Sequence, residues 1–590
     1  MATVQQQQPQ VDRPLKKRSV VSNFIYEEVK DGDATRYRVA LFRRSDKVST
    51  YQHHLAPISG SIDPTDPTPL AAAWRELHEE TTLDASSLEL TRQGKPYSFG
   101  DPSVGREWTI YAFAYRLRGP PEGGLGPAGI HIDWEHEGWG WYEPRDIVDT
   151  PEFGGVPRLA ESFRRVWFER DLGDAAGAVL RGGLARLKGD HQSGARQLAG
   201  VALRVLRGVV AEMDAPERPS EEWWAKVRFA AWHVWKNGRE SMGAAIMSVL
   251  LAALKGVEEA LEPYRGDGSQ QKQPAKKWHD AVLDALDERI AIRERSTSAK
   301  LISEAFVLYL NEHFAERQAA GEPIKILTLS ESSTITACLR HALLHTDYLF
   351  DLRVLESRPL YEGVSLAASV VKEALWVPSS PAKEPSQPRL TVTLFTDASA
   401  ALAASSADVV LLGADRVASS GAVSNKTGSL PAVLSAKHVS AGKCRTVVLS
   451  ESEKVAPPGS PAEHVVEDND AGQLVEAWQA GLNSERVRQA AGTLSQVRTA
   501  ERSAAKEGEQ EQQQQEQEDQ GGGSVGTAGG GAGAVGGDTV RVEVRNVFFE
   551  WVPAELVDGY VTENGLWTVD DIEKHSAMLG AEQERLFGDL

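Results

Sequence analysis

The stretch WRELHEETTL, residues 74–83, decides how the first part of the chain is read. It sets Arg75, Glu76, Glu79 and Glu80 on one short helical segment. Glu76, Glu79 and Glu80 stand at i, i+3 and i+4 and point the same way, while Trp74 and Leu77 lie toward the other side and can pack the helix down. Like charges at this spacing repel, so the pattern requires a counter-charge, and the candidate is a divalent metal. Upstream, GSIDPTD (60–66) follows an expected strand and supplies a glycine turn and then acids.

Working outward, RYRVALFRR and WTIYAFAYRL flank this helix and read as strands by their β-branched and aromatic content. Three segments downstream carry apolar residues at three- and four-residue spacing: SGARQLAGVALRVLRGVVAEM, MGAAIMSVLLAALKGVEEAL and WHDAVLDALDERIAIRERS. They predict helices. Beyond Glu322, the short apolar runs IKILTLS, DLRVLES, LTVTLFT, DVVLLGA and RTVVLS alternate with helix-compatible segments, the pattern of a parallel sheet with crossover helices. The expected organisation is a disordered arm (1–18), a first α/β domain (19–170), a helical part (171–317) and a Rossmann-like part (318–590). The Gln- and Gly-rich tract at about 507–538 has too little apolar side chain to offset chain entropy and is expected as a disordered insertion. The apolar TVRVEVRNVFFEWVP follows it as a strand.

The 590 residues carry a net charge of −20, from 64 basic and 84 acidic residues, which disfavours a broad basic surface for duplex nucleic acid. The longest apolar run, near 244–254, is too short to span a bilayer. The first residues lack the apolar core of a leader. With two cysteines, Cys338 and Cys444, no disulfide framework is implied, and a reducing cytosol or nucleus fits. PLKKRS (14–19) reads as a solvated arm ahead of a nuclear signal, Cys444 as structural, and the His53–His54 pair lacks ligand spacing to any cysteine cluster.

The glycine turn, the acid and the Arg-Glu-x-x-Glu-Glu helix closely resemble the Nudix box, in which a loop–helix–loop presents carboxylates to Mg²⁺ or Mn²⁺. That resemblance implies an α/β/α sandwich and hydrolysis of a nucleoside diphosphate linked to another moiety. Residue by residue, Gly60 takes the leading glycine, Asp66 the loop acid, and Arg75, Glu76, Glu79 and Glu80 the core. Glu79 and Glu80 become the best metal ligands, Glu76 a ligand or water-orienting acid, and Arg75 the holder of a carboxylate. The spacing carries one extra residue before Arg75, and Thr82 replaces the glycine that usually follows the Glu-Glu pair. EHEGWGW (135–141) resembles a late Nudix element and makes Glu135 a second-site ligand or general base.

LLGADRVASSGAVSNKTGSLPAVLSAKH (411–438) resembles the signature shared by the alpha, beta and delta subunits of eukaryotic translation initiation factor 2B and by the isomerases of methylthioribose 1-phosphate and ribose 1,5-bisphosphate. LESRPLYEG (355–363), DHQSGARQLA (from 190), GRESM (from 238) and NVFFEWVPAELVDGYVTENG (from 546) agree with it. It implies a sugar-phosphate or nucleotide pocket carried by Arg239, Ser330, Arg358, Asp415, Asn425, Lys426, Gly428 and Ser429. It also implies a homodimer or higher oligomer, with translation initiation factors as possible partners. Gly428 and Ser429 are expected to offer free backbone N–H groups at a helix start, a phosphate seat. The family's acid/base cysteine position falls on Ser330. A hydroxyl is a far poorer proton donor or acceptor than a thiol, so ligand binding without isomerisation is expected. Three readings follow: a hydrolase with a ligand-sensing or assembling second domain, an initiation-factor-like protein with a non-catalytic Nudix module, and a bifunctional isomerase. The intact acids favour the first.

Overall fold

The structure, a computed structural model, describes residues 14–32, 34–191, 193–265, 277–375, 388–459, 469–480 and 544–590. The expected insertion at 507–538 lies outside them. The chain divides into two compact units: residues 1–296 with 453–463 and 575–590, and residues 297–452 with 464–574.

The first unit opens with a mixed sheet of β1 (Lys16–Asp31), β2 (Ala34–Arg44), β3 (Leu55–Ala56), β4 (Leu88–Gln93), β5 (Tyr97–Asp101), β6 (Arg106–Leu117) and β7 (His136–Tyr142). Its order is β3-β2-β1-β6-β4, with β5 on β6 and β7 on β2. Alternation along the strands gives the sheet two apolar faces. On one, Val21, Ile25, Phe113 and Tyr115 meet Ala72, Ala73 and Leu77 of α1 (Pro69–Thr81). On the other, Phe24, Leu41 and Ala112 meet Leu159 and Phe163 of α2 (Leu159–Arg164). This is the expected α/β/α sandwich. Burying a leucine such as Leu77 completely contributes about 1.5–3 kcal/mol. The arm is shorter than expected: Lys16, Lys17 and Arg18 belong to β1, in parallel register with Arg106, Glu107 and Trp108. A neighbouring strand with open backbone partners recruits them despite their charge.

The helical part follows as α3 (Glu169–Leu172), α4 (Asp174–Gly189), α5 (Ala195–Glu212), α6 (Glu221–Asn237), α7 (Gly243–Leu261) and α8 (Lys277–Glu294). Along α5, Leu198, Ala202, Leu206 and Val209 are fully buried, as the spacing predicts. This part also covers the edge strand β4. Asn237 pairs with the Gln93 backbone in both directions, accepting from its N–H at 2.7 Å and donating to its carbonyl at 2.9 Å. Lys188 donates to the Thr91 carbonyl, and Arg92 holds Glu169 through two bonds of 2.7 Å. An unpaired sheet edge is thereby closed.

The second unit contains α9 (Ser298–Ala320), β8 (Ile324–Leu329), α10 (Ser333–His345), β9 (Phe350–Leu355), α11 (Glu362–Leu375), β10 (Leu390–Phe395), α12 (Ala400–Ala403), β11 (Val409–Leu412), β12 (Arg416–Val417), β13 (Val423–Lys426), α13 (Ser429–Val439), β14 (Arg445–Leu449), α14 (Ala471–Ala480), β15 (Phe549–Val552), β16 (Gly559–Thr562), β17 (Gly565–Trp567) and the start of α15 (Val569–Phe587). The main sheet runs β10-β9-β8-β11-β14-β16-β17, parallel except for β17. Both faces are covered, which explains its nearly continuous apolar strands. Ile302, Phe306, Leu339 and Leu366 pack on one face. Val410 and Leu412 are buried on the other. β12, β13 and β15 form a small antiparallel sheet.

Two expected boundaries move. The helical part ends at 296 rather than 317, because α9 buries Ile302, Phe306 and Leu310 in the core of the second unit. Residues 453–463 and 575–590 return to the first unit, where Arg228 binds Asp589 and Arg585 binds Glu258. The strand expected across TVRVEVRNVFFEWVP narrows to Phe549–Val552 among the described residues. No helix among those residues is long and apolar enough to cross a membrane.

Candidate functional site

The box helix α1 starts where its sequence directs. Thr68 Oγ accepts from the Ala71 N–H at 3.1 Å, and Pro69 fills a first-turn position that needs no N–H. Arg75 then ties the helix to the preceding loop. Its Nε and Nη2 donate to the two oxygens of Asp66 at 3.2 and 2.8 Å, and its Nη1 donates to Glu76 at 2.8 Å and Glu79 at 3.1 Å. These bonds hold the Asp66 carboxyl below the ordinary carboxylate range. Gly60 is required by contact: a Cβ there would fall 1.9 Å from the Glu76 carboxyl carbon. The extra residue in the loop therefore leaves both loop positions engaged.

The three glutamates do not share one environment, contrary to expectation. Glu76 and Glu80 are buried, whereas the Glu79 side chain is 56% exposed. At 100° per residue, Glu80 and Glu79 fall on opposite flanks of Glu76, and only Glu80 turns toward the sheet. Burial pushes the Glu80 carboxyl well above its usual range, and Glu76, Glu135 and Asp133 push it further. Glu76 is raised as well, by burial, with Arg75 opposing.

The loop before β7 supplies the remaining groups. His131 and Asp133 donate backbone N–H groups to the carbonyls of Thr81 and Glu80, each at 3.2 Å, so the loop caps the end of α1. Ser45 pins it from the other side: its Oγ donates to the Trp134 carbonyl at 2.9 Å and its N–H to the Glu135 carbonyl at 2.7 Å. Glu135 is thus held at the acid cluster, with its carboxyl raised by burial and by Asp133. His136 is buried with Nε2 3.6 Å from Glu80 and Nδ1 3.5 Å from Asp133. Arg44, at a bulge in the β2–β7 pairing, lies in the field of Glu80 and Glu135, and burial lowers its pKa.

Asp133, His136 and Arg44 are missing from the sequence reading. His136 adjoins the singled-out Glu135, while Arg44 carries no local signal beyond the strand it ends. Among the described residues no three acidic, His or Cys side chains are gathered as a ready metal-ligand set. The donors nevertheless fit a hard cation. They are carboxylate oxygens, the glycine cradle at Gly60 admits Glu76, and buried Glu80 has no Lys or Arg within ion-pair distance among the described residues.

In the second unit the strand order 3-2-1-4-5-6, counting β8 as first, puts the topological switch between β8 and β11. Ligands in such sheets bind beyond the carboxyl ends of the strands there. Ser330 directly follows β8, and Gly413-Ala414-Asp415 directly follows β11. A Cβ on Gly413 would meet Ser332 Oγ at 3.3 Å and Asn425 Oδ1 at 3.7 Å. Ser330 and Ser357 both adopt left-handed backbone, φ 63° and 61°, joined by the Ser330 N–H to Ser357 Oγ bond of 2.7 Å.

The charges in this region are already matched. Lys426 is buried, with Nζ 2.6 Å from Glu362 and 4.0 Å from the Phe548 ring centre. Glu550 accepts from the N–H groups of Gly428 at 2.6 Å and Leu430 at 3.0 Å, so the helix start expected to be free is occupied by the chain's own carboxylate. Asn425 donates to Ser429 Oγ. Arg358 donates to Tyr361 Oη at 2.6 Å. Arg239 belongs to the first unit, where it is buried and donates to the Asp190 carbonyl.

The family model for the initiation factor 2 subunit family matches residues 192–569, more than half of the sequence. The chain belongs to that family. Residues 17–166 match the NUDIX domain, so the first sandwich is a NUDIX domain joined to this family's fold. Three solved structures illustrate the likeness. Translation initiation factor eIF-2B from Pyrococcus horikoshii OT3 is 16% identical over 66% of this chain and 96% of that chain, with a TM-score of 0.37. For eIF2B beta from Chaetomium thermophilum the values are 13%, 70%, 94% and 0.41. For 5-methylthioribose 1-phosphate isomerase from Pyrococcus horikoshii OT3 they are 15%, 70%, 88% and 0.36. No curated protein matches the chain.

Proposed function

We propose that the NUDIX domain is a metal-dependent hydrolase of a nucleoside diphosphate linked to another moiety. The observation that carries this reading is buried Glu80, without a Lys or Arg at ion-pair distance among the described residues and in the field of Glu76, Asp133 and Glu135. Such a cluster is unfavourable by itself, because buried like charges repel, and it becomes favourable when a divalent cation enters. Mg²⁺ or Mn²⁺, held by Glu76, Glu79 and Glu80, would neutralise the diphosphate and lower the pKa of water. Arg75 braces the loop through Asp66 and holds Glu76 and Glu79 beside it. Glu135, whose carboxyl is held above the ordinary range, is suited to accept the proton of the attacking water as the phosphorus–oxygen bond breaks.

For the initiation factor 2 region we assign a regulatory or assembly role in a homodimer or higher oligomer, with translation initiation factors as partners and the cytoplasm as its place. A sugar phosphate or nucleotide entering at Ser330, Asp415 and Asn425 must displace Glu550 and Glu362 from the groups it would use. Ser330 lacks the thiol that isomerisation would require. A screen of nucleoside-diphosphate-linked compounds with Mg²⁺ or Mn²⁺, with products resolved by chromatography, tests the hydrolase. Wild type turns over at least one compound, and Glu79→Gln and Glu80→Gln each remove most of that turnover. Full turnover in a folded double variant would return the domain to a scaffold role.

A further inference from the structure

An acid cluster able to hold a cation also repels a diphosphate, so the domain needs a positive group that its own carboxylates have not consumed. Arg75 does not qualify, since Asp66, Glu76 and Glu79 take its hydrogen bonds. Arg44 differs. Its Nε donates to the Thr50 carbonyl at 3.1 Å, and neither terminal nitrogen has a hydrogen bond or an ion pair among the described residues. It is half-buried and sits where the β2–β7 register shifts, opposite His136. A bulge at this point re-aims a side chain relative to the regular pleat. The residue after it, Ser45, pins the loop that carries Glu135. Backbone thus fixes the Arg44 stem on one side through Thr50 and through its own N–H to the His54 carbonyl. The planar fork remains in the electrostatic field of acids from two different elements, Glu80 of α1 and Glu135 of the loop, with neither at ion-pair distance.

We propose that Arg44 is the substrate clamp of this domain, its terminal nitrogens taking the diphosphate oxygens of a nucleoside diphosphate derivative while the acids hold the metal. A guanidinium is suited to this because its fork matches phosphate oxygens through paired hydrogen bonds, which a lysine ammonium does not reproduce. This inference rests on the hydrolase reading, and its test separates the two.

Calorimetry on the full chain measures Mn²⁺ alone, and then inorganic pyrophosphate and ADP in the presence of Mg²⁺, for wild type, Arg44→Ala and Arg44→Lys. Loss of charge-assisted hydrogen bonds weakens both phosphate ligands in Arg44→Ala about 10- to 100-fold. Arg44→Lys, which keeps the charge and loses the fork, falls between. Mn²⁺ affinity without phosphate stays level or rises in Arg44→Ala, since a cation has left the neighbourhood of Glu80 and Glu135. A brace that merely held the acids together would give the opposite sign, Mn²⁺ and phosphate affinity falling together, and that result overturns the clamp. Unchanged pyrophosphate affinity in both variants also overturns it. Should wild type turn over no diphosphate yet bind pyrophosphate through Arg44, the hydrolase reading fails and the clamp stands.

Discussion

Glu80 of the NUDIX domain and the strand ends of the initiation factor 2 region differ in how their charges are balanced. Around Glu80, carboxylates from α1 and from the β7 loop gather with no Lys or Arg at ion-pair distance from Glu80 among the described residues. At the other site, Lys426 has Glu362 and the start of α13 has Glu550. The first arrangement is incomplete without a ligand, and the second is complete. Chemistry needs groups whose interactions become better when substrate or metal arrives. By that measure the NUDIX acids are the groups whose interactions improve when a cation arrives, and the strand ends hold a shape that a ligand must break into.

The largest expected effect tests the imbalance directly. Glu80→Gln removes the buried charge and keeps the shape. Mn²⁺ affinity should fall at least 100-fold, while the metal-free protein gains stability at neutral pH, because an ionised carboxyl costs more to bury than an amide. The pH dependence follows from the sign of the shift. Glu80 has a folded pKa above its ordinary 4.5, so the metal-free fold binds a proton more readily than the unfolded chain. Its contribution to stability is full below 4.5 and is lost as pH rises through the folded value. Urea midpoints of metal-free wild type and Glu80→Gln should therefore diverge as pH rises and converge in acid. Parallel midpoints across that range would show that Glu80 is already compensated.

The imbalance was only partly legible in the sequence. The box stretch fixes the identity of Glu76, Glu79 and Glu80, and helical spacing fixes the face they share. Which of them is buried depends on where the sheet lies, so the sequence makes Glu79 the equal of Glu80, and the structure exposes it. Compensation is harder to read still, because the partners are remote. Asp133 and His136 reach Glu80 from more than 50 positions away, and Glu362 and Glu550 reach Lys426 and Gly428 from 64 and 122 positions away. Glu550 lies inside the motif NVFFEWVP, yet nothing local aims its carboxylate at a helix start. The strand alternation that predicts a parallel sheet was sufficient for the fold, since it depends on neighbours within each strand. The end of the helical part was not, because α9 has the same periodicity whichever core it joins.

The complete site can be made incomplete, which is the second test. Glu550→Ala removes the acceptor of the Gly428 and Leu430 N–H groups. Loss of a helix-start acceptor costs about 1–2 kcal/mol. The same substitution exposes the seat, so calorimetry with ribose 5-phosphate should show binding in Glu550→Ala that is much weaker or absent in wild type. Equal binding in both proteins would mean that phosphate enters elsewhere, or that Glu550 swings away readily, and the contrast between the two sites would lose one of its sides.

Backbone strain sharpens the comparison at the smallest scale. Both regions hold non-glycine residues in left-handed conformation, Thr82 at φ 61° after the box helix and Ser357 at φ 61° after β9. A β-branched residue is poorly suited to that region, at a cost of about 1–2 kcal/mol. Thr82 is exposed, and its backbone N–H to the His78 carbonyl would survive a change to glycine. Thr82→Gly should therefore stabilise the first unit by about 0.5–1 kcal/mol once the extra freedom of unfolded glycine is subtracted. Ser357 is different, because its Oγ accepts from the Ser330 N–H at 2.7 Å and donates to the Leu355 carbonyl at 3.2 Å. Ser357→Gly relieves the same backbone but leaves the half-buried Ser330 N–H without its acceptor, a loss of about 1–3 kcal/mol that outweighs the relief. Urea denaturation of the two variants should move in opposite directions. Destabilisation by both would mean that Thr82, too, is held by its surroundings rather than tolerated by them, and that strain at the end of α1 belongs to the geometry that turns Glu80 toward the sheet.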